Sequence, residues 1–81
     1  MNTKILPLNK LPLNKTGFIY NIQCSENVKR RLLDLGIIKN TCIKSILKSP
    51  SGGLKAFAVR GSLIAIRDED SSLIQVYIEK E

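Results

Sequence analysis

One segment of the chain is typical of a helix, and its shortness limits how the remaining residues can fold. It covers residues 25–38, with the sequence SENVKRRLLDLGII, and the helix itself is predicted at about 26–35. Ser25 is expected to act as N-cap, its hydroxyl accepting a hydrogen bond from an unpaired amide. Gly36 supplies the left-handed residue that ends many helices.

The apolar side chains of this helix fall on one narrow stripe at about 100° per residue. A helix of roughly ten residues is marginal by itself in water, so the stripe is expected to dock on the rest of the chain. The residues assigned to the core on this basis are Val28, Leu32, Leu35 and Ile37.

The rest of the chain is typical of short strands separated by turns. Segments rich in β-branched and aromatic residues alternate with turn residues at intervals of roughly 8–12 residues. This pattern predicts an all-β fold, a small SH3-like β-barrel of about five strands with one short α-helix inserted between strands 1 and 2. The predicted strands cover residues 16–23, 41–48, 54–60, 63–67 and 73–78.

The N-terminal residues contain the pentapeptide LPLNK twice in tandem. Because proline is excluded from helix interiors and central strands, residues 1–15 are predicted to be an extended lead-in, and residues 16–78 form the barrel. The 81 residues suit a single domain with one modest core. The leucines expected to cap one end of that core are Leu8, Leu11 and Leu13.

The composition is that of a soluble, basic globular protein, with 43% hydrophobic and 25% charged residues and a net charge of +6. Residues 1–15 carry a net charge of +3, residues 16–48 carry +4 and residues 49–81 carry −1. This asymmetry favours an acidic partner, whether a protein, a nucleic acid or an anionic membrane surface. With no recognisable signal peptide, the chain is expected in the cytosol.

The residue types argue against catalysis and against a dedicated metal or cofactor site. There is no histidine, and the two cysteines, Cys24 and Cys42, form no C-x-x-C pair, so they are expected to be reduced thiols. Acidic residues at 68–79 imitate some EF-hand positions, but Leu73 stands where that loop needs glycine. Without histidine, the usual Ser–His and Cys–His nucleophile pairs cannot form.

The motif RLLDLGI at residues 31–37 matches the R-L-x-x-L-G-I pattern of the FeoA family of bacterial ferrous iron transport, and the chain resembles that family over about residues 8 to 76. The resemblance implies an SH3-like accessory protein without a cofactor. It would bind the cytosolic nucleotide-binding part of the membrane iron transporter, and so lie in the cytoplasm or at the inner face of the membrane. Weak transition metal ion binding is the most that the residues allow. Where the family usually has glycine, this chain has Asn14 and Asn40, which tolerate a left-handed backbone.

The candidate partner-binding surface is the outward side of the helix. Leu33 projects away from the apolar stripe between Lys29 and Arg30, as a small protein-binding hot spot often does, and Lys39 is expected beside it. Two ordinary explanations stay open at this point. Leu33 is an isolated exposed leucine or is covered by the lead-in leucines, and the basic side chains are simply solvated.

The alternative function is a basic SH3-like barrel that binds RNA or another nucleic acid. The aromatic residues argue against it, because they are few and spread along the strands and are therefore expected in the core rather than on a stacking platform. They are Phe18, Tyr20, Phe57 and Tyr77.

Overall fold

Six antiparallel strands and two helices make up the computed structural model, which describes residues 2–80. They are β1 (Asn2–Pro7), β2 (Thr16–Ile22), α1 (Glu26–Asp34), β3 (Cys42–Lys48), β4 (Leu54–Val59), β5 (Ser62–Arg67), α2 (Asp68–Ser71) and β6 (Ile74–Lys80). All strands belong to one sheet in the order β1-β6-β2-β3-β4-β5. The predicted SH3-like, all-β class with one inserted helix is confirmed. The short α2 occupies the place of a predicted polar turn.

The sixth strand comes from the residues predicted as an extended lead-in. β1 pairs with β6, placing Ile5 opposite Tyr77. Because β1 is an edge strand, Pro7 can end it without removing a needed donor from the sheet. A 3-10 turn at Leu8–Lys10 then connects β1 towards β2. The sheet is therefore open between β5 and β1, rather than closed by pairing of its edges.

Two of the three lead-in leucines enter the core. Leu8 and Leu11 are buried, as predicted, but the expectation for Leu13 is wrong because its side chain is exposed. The amide of Lys15 donates to the carbonyl of Pro12 at 3.1 Å, so Leu13 stands at the tip of a tight turn that points it into solvent.

The core lies between the inner face of the sheet and α1. β2, β3, β4 and β6 each contribute fully buried side chains, because alternate residues of a strand face the same side. The largest fully buried apolar side chains, two of which come from segments outside the strands, are Phe57, Leu8, Ile19, Ile37, Ile43, Ile74 and Val76.

Helix α1 docks by a narrower stripe than predicted. Leu32 is buried and Val28 is partly buried against the core, but Leu35 is exposed, so its assignment to the core is wrong. The helix ends at Asp34, and Leu35 lines a surface cavity of about 390 Å³ between α1 and β5 instead of packing beneath the helix. Neither α1 nor α2 is long and apolar enough to cross a membrane.

The start of α1 also differs from the sequence expectation. Ser25 has the extended backbone of an N-cap, and its carbonyl accepts the Lys29 amide at 2.8 Å. Its hydroxyl makes no capping hydrogen bond, so the predicted side-chain cap is wrong. Ser25 is exposed, and water can satisfy the free amides of the first turn.

The end of α1 is a Schellman motif built on Gly36, which has φ 85° and confirms the predicted left-handed stop. The amide of Gly36 donates to the carbonyl of Leu33, and the amide of Ile37 donates to that of Leu32, both at 2.9 Å. This geometry reverses the chain directly after the helix and brings Ile37 into the core beside Leu32.

Within residues 2–80, three residues other than glycine adopt a left-handed backbone at turns. Asn14 and Asn40 have φ 67° and 73°, which confirms that asparagine keeps the turn geometry expected at these positions. Arg60 and Gly61 have φ 52° and 83° and form the two-residue hairpin loop between β4 and β5. That reversal lies one residue earlier than predicted.

Candidate functional site

A groove beside α1 brings together all four residues that the sequence singled out. Lys29, Arg30 and Leu33 come from the exposed side of α1, and Lys39 comes from the loop between α1 and β3. The cavity has a volume of about 440 Å³. We call it the helix groove. Its other lining residues are Ile22, Glu26, Ile37 and Ile38.

The helix geometry decides which leucine faces the groove. Leu32 is 4% exposed and packs in the core, whereas Leu33 is 59% exposed. Consecutive residues of a helix are about 100° apart, so a helix docked through Leu32 necessarily turns Leu33 outward. The alternative that lead-in leucines cover Leu33 is therefore wrong.

The segment after Gly36 separates a second pair of apolar neighbours. Ile37 is 1% exposed and Ile38 is 47% exposed. Thr41 fixes this segment, because its hydroxyl accepts the Ile38 amide at 3.0 Å and donates to the Gly36 carbonyl at 3.3 Å. The groove therefore has a second exposed apolar side chain held in a defined position.

Glu26, Ile22 and Ile38 also line the groove but are not among the site residues that the sequence predicts. The signal for Ile38 is the Ile37–Ile38 pair directly after the left-handed glycine, since neighbouring side chains in an extended segment point to opposite sides. Ile22 is the last residue of β2, and no local pattern separates it from the core members of that strand.

The charge around the helix groove is mainly positive. Three of the lining side chains are cationic, and Glu26 is the one carboxylate among them. Among the side chains of residues 3–79, the one ion pair joins Arg67 to Glu69 at 3.8 Å, on the other side of α1 from the groove residues. The groove cations are therefore available to a negatively charged partner.

The aromatic residues are not dispersed through the core. Phe57 is fully buried, but the Phe18 and Tyr77 rings stack with their centroids 5.3 Å apart, and Tyr20 meets Tyr77 edge-on at 6.4 Å. The ammonium of Lys39 lies 6.0 Å from the centroid of Tyr20. The expectation of scattered core aromatics is wrong for three of the four, because the pairing of β2 with β6 places Phe18 opposite Tyr77.

The two cysteines have different surroundings. Both are free, and Cys24 is buried while Cys42 is exposed. Burial raises the pKa of the Cys24 thiol, the nearby Asp70 carboxylate raises it further, and Lys29 acts in the opposite direction. The Cys24 thiol donates to the Asp70 carbonyl at 3.4 Å. These surroundings favour the protonated thiol rather than a reactive thiolate.

No metal centre forms within the described part of the chain. Over residues 2–80, no group of three His, Cys, Asp or Glu side chains is placed to hold a metal ion. A dedicated structural metal site is usually built from several such ligands around one ion.

The sequence model of the FeoA domain family matches residues 6–78 of the chain. A comparison with curated protein sequences found no match. Among solved structures, the chain is similar to the FeoA protein of Chlorobium tepidum, with 25% identity over 90% of this chain and 70% of that one and a TM-score of 0.87.

Two further solved structures are similar over most of their length. The FeoA-like protein of Clostridium acetobutylicum is 27% identical over all of this chain and 93% of that one, with a TM-score of 0.83. The zinc-complexed FeoA of Stenotrophomonas maltophilia, described as a prokaryotic SH3 domain protein, is 26% identical over 85% and 86% of the two chains, with a TM-score of 0.73.

Proposed function

Because the chain belongs to the FeoA domain family, we propose that it is an accessory or regulatory protein of bacterial ferrous iron uptake. The family and its solved relatives are linked to ferrous iron transport. In this proposal the chain acts in the cytoplasm and binds the cytosolic nucleotide-binding part of the membrane iron transporter through the helix groove. It does not catalyse a reaction, and the transporter rather than this chain carries the iron.

The observation that supports this proposal is that Leu33 is exposed and lines the same groove as three cations. A well-packed apolar side chain at the centre of a contact, with polar side chains around it that exclude water, can act as a binding hot spot. Lys29, Arg30 and Lys39 line the groove with Leu33, and basic side chains of this kind suit the rim of an interface with an acidic protein surface.

Nucleic acid remains the alternative partner. The clustering of Phe18, Tyr20 and Tyr77 removes one argument against it, since aromatic side chains grouped beside a cation can stack with bases. The apolar lining of the helix groove favours protein instead. Weak binding of a transition metal ion stays a prediction and has no support from the side chains of residues 2–80.

The test is a calorimetric titration of the chain with the cytosolic domain of the transporter, comparing Leu33→Ala with Leu63→Ala. Leu63 is a matched control because it is 61% exposed, close to the 59% of Leu33, but lies on β5 outside the groove. Removal of a hot-spot side chain costs on the order of 2 kcal/mol, so Leu33→Ala is expected to weaken binding by more than tenfold. Leu63→Ala is expected to bind like the wild type.

Two results would count against the proposal. One is equal affinity of the wild type and Leu33→Ala for the transporter domain. The other is preferential binding of a mixed RNA, with log K falling steeply as log salt rises, by about 0.7–0.9 per phosphate contacted.

A further inference from the structure

The outer face of the sheet carries an apolar and aromatic surface that the core does not use. Register places Ile5 opposite Tyr77 and Tyr77 opposite Phe18 across β1, β6 and β2. Tyr20 lies edge-on to Tyr77, and both Tyr20 and Ile5 are exposed. We call these four residues the aromatic shelf.

The shelf holds a defined depression rather than a flat patch. Its volume is about 260 Å³. The Tyr77 hydroxyl donates to the side-chain oxygen of Asn40 at 3.0 Å, which ties the ring of Tyr77 to the loop between α1 and β3. The residues that line the depression are Thr3, Ile5, Tyr20, Lys39, Asn40 and Tyr77.

Lys39 joins this depression to the helix groove, because it lines both cavities. Its ammonium lies over the Tyr20 ring at 6.0 Å, where the attraction between a cation and an aromatic face holds it beside the shelf. The helix groove and the shelf are thus two apolar surfaces separated by a cation.

We propose that one extended, acidic segment of the partner protein occupies both surfaces. An apolar side chain of the segment would lie against Leu33 in the helix groove, a carboxylate would meet Lys39, and a second apolar or aromatic side chain would lie on the aromatic shelf. The proposal deepens the proposed function and rests on it, since it takes the helix groove as the first contact with the partner.

The charges favour an acidic peptide over a nucleic acid. Lys39 is the one charged side chain lining the shelf depression, and the three cations of the helix groove face a single carboxylate, Glu26. A single-stranded nucleic acid needs a row of cations that follows its backbone past the stacking residues. Lys39 lies between the helix groove and the aromatic shelf. A peptide carboxylate flanked by apolar side chains therefore matches this arrangement.

A segment that contacts both surfaces is expected to bind more tightly than one that contacts a single surface. Each surface is small, and a segment that is already held in the groove meets the shelf at a high effective concentration. Loss of either surface is therefore expected to weaken the same binding event.

The test uses a fluorescein-labelled peptide in which Leu and Phe alternate with Glu, measured by anisotropy. Its controls are the same peptide with Lys in place of Glu and an oligouridylate of equal length. The variants are Tyr20→Ala for the shelf, Leu33→Ala for the groove, Tyr20→Phe to keep the ring, and Leu63→Ala as an exposed control. Thermal melts of each variant establish that it is folded.

We expect the acidic peptide to bind, and both Tyr20→Ala and Leu33→Ala to weaken it roughly fivefold or more, the factor equivalent to about 1 kcal/mol. Tyr20→Phe keeps the aromatic ring on the shelf, and Leu63→Ala lies outside the contact, so both should bind within about twofold of the wild type. Three results would each overturn the proposal. The acidic peptide does not bind, Tyr20→Ala binds it as tightly as the wild type, or the oligouridylate binds more tightly than the peptide.

The same variants titrated with the transporter domain separate this inference from the proposed function. If Leu33→Ala weakens that complex and Tyr20→Ala does not, the function stands and the shelf proposal fails. If the acidic peptide shows both losses but the transporter domain does not bind, the two-surface site stands and the transporter is the wrong partner.

Discussion

In two pairs of adjacent residues, one side chain is buried in the core and its neighbour is exposed on the surface. Leu32 and Ile37 are almost fully buried, whereas their neighbours Leu33 and Ile38 are about half exposed and line the helix groove. The residue types on the two sides are the same, so hydrophobicity alone does not distinguish core residues from exposed residues here. The helical rotation and the glycine stop make the distinction.

The difference also supports the proposed role of the helix groove in recognition. The groove side chains are held by their buried neighbours, which are part of the core, so the exposed pair needs little ordering when a partner binds. Binding surfaces that are already ordered lose less conformational entropy on association. We therefore expect substitution of the buried residues to lower the free energy of unfolding, and substitution of the exposed residues to weaken partner binding.

The largest effect is expected from Leu32→Ala. Truncation of a buried leucine removes its transfer free energy and leaves a cavity, which costs about 2–5 kcal/mol of the free energy of unfolding. Leu33→Ala should cost no more than about 0.5 kcal/mol, because its side chain is mostly in water already. Urea unfolding measures both. Equal losses would mean that the two faces of α1 are assigned incorrectly.

A smaller effect is expected from Gly36→Ala, which tests the stop between the two pairs. Gly36 has φ 85°, and an added Cβ would lie 3.0 Å from Cδ of Arg60. A left-handed backbone costs roughly 1–2 kcal/mol in a residue with a side chain, and the flexible Arg60 side chain can move away from the contact. Chemical denaturation should show a loss of that size.

The control for this glycine is Gly53→Ala. A Cβ at Gly53 would meet only the Ser51 hydroxyl, at an ordinary 3.7 Å, and the residue does not need a left-handed backbone. Gly53→Ala should leave stability nearly unchanged. A similar loss in both variants would show that the conformation at Gly36 is not what separates Ile37 from Ile38.

The smallest effect is expected from the two thiols, of which one is buried and the other exposed. The raised pKa of Cys24 means that the folded state favours the neutral thiol over the thiolate. The resulting contribution to the free energy of unfolding is fully present below the ordinary thiol pKa of about 8.5, and it is lost as the pH rises through the raised pKa of the folded state. Cys24→Ala should therefore lose less stability than the wild type between neutral and alkaline pH. Cys42→Ala, at an exposed position, should follow the wild-type profile. Identical pH profiles for all three proteins would contradict the assignment.

The sequence predicts the elements that depend on local patterns. Helix periodicity identifies the buried Leu32 and the exposed Leu33, and Gly36 marks the stop, because each depends on residues only a few positions apart. Periodicity places Leu35 on the buried stripe, but this residue follows the last residue of the helix and lies exposed at the rim of a cavity.

The features that local patterns miss depend on pairing between distant strands. Tyr77 meets Phe18 and Ile5 only because β6 lies between β1 and β2, and nothing in the residues around Phe18 indicates that neighbour. For the same reason the sixth strand and the aromatic shelf could not be predicted. Lys29, Arg30 and Leu33 could be predicted because they share one helix, and Lys39 could be predicted because it follows the glycine stop by three residues. Lys39 joins them because the glycine stop turns the chain back beside α1.

The most direct test of the account is an NMR titration of the isotopically labelled chain with the cytosolic domain of the transporter. The account predicts that the largest amide shift changes occur at Lys29–Leu33 and at Ile38–Lys39, with little change along β5 at Ser62–Arg67. Changes centred on β5, or spread evenly over the sheet with none at Leu33, would contradict the claim that the helix groove is the partner-binding site.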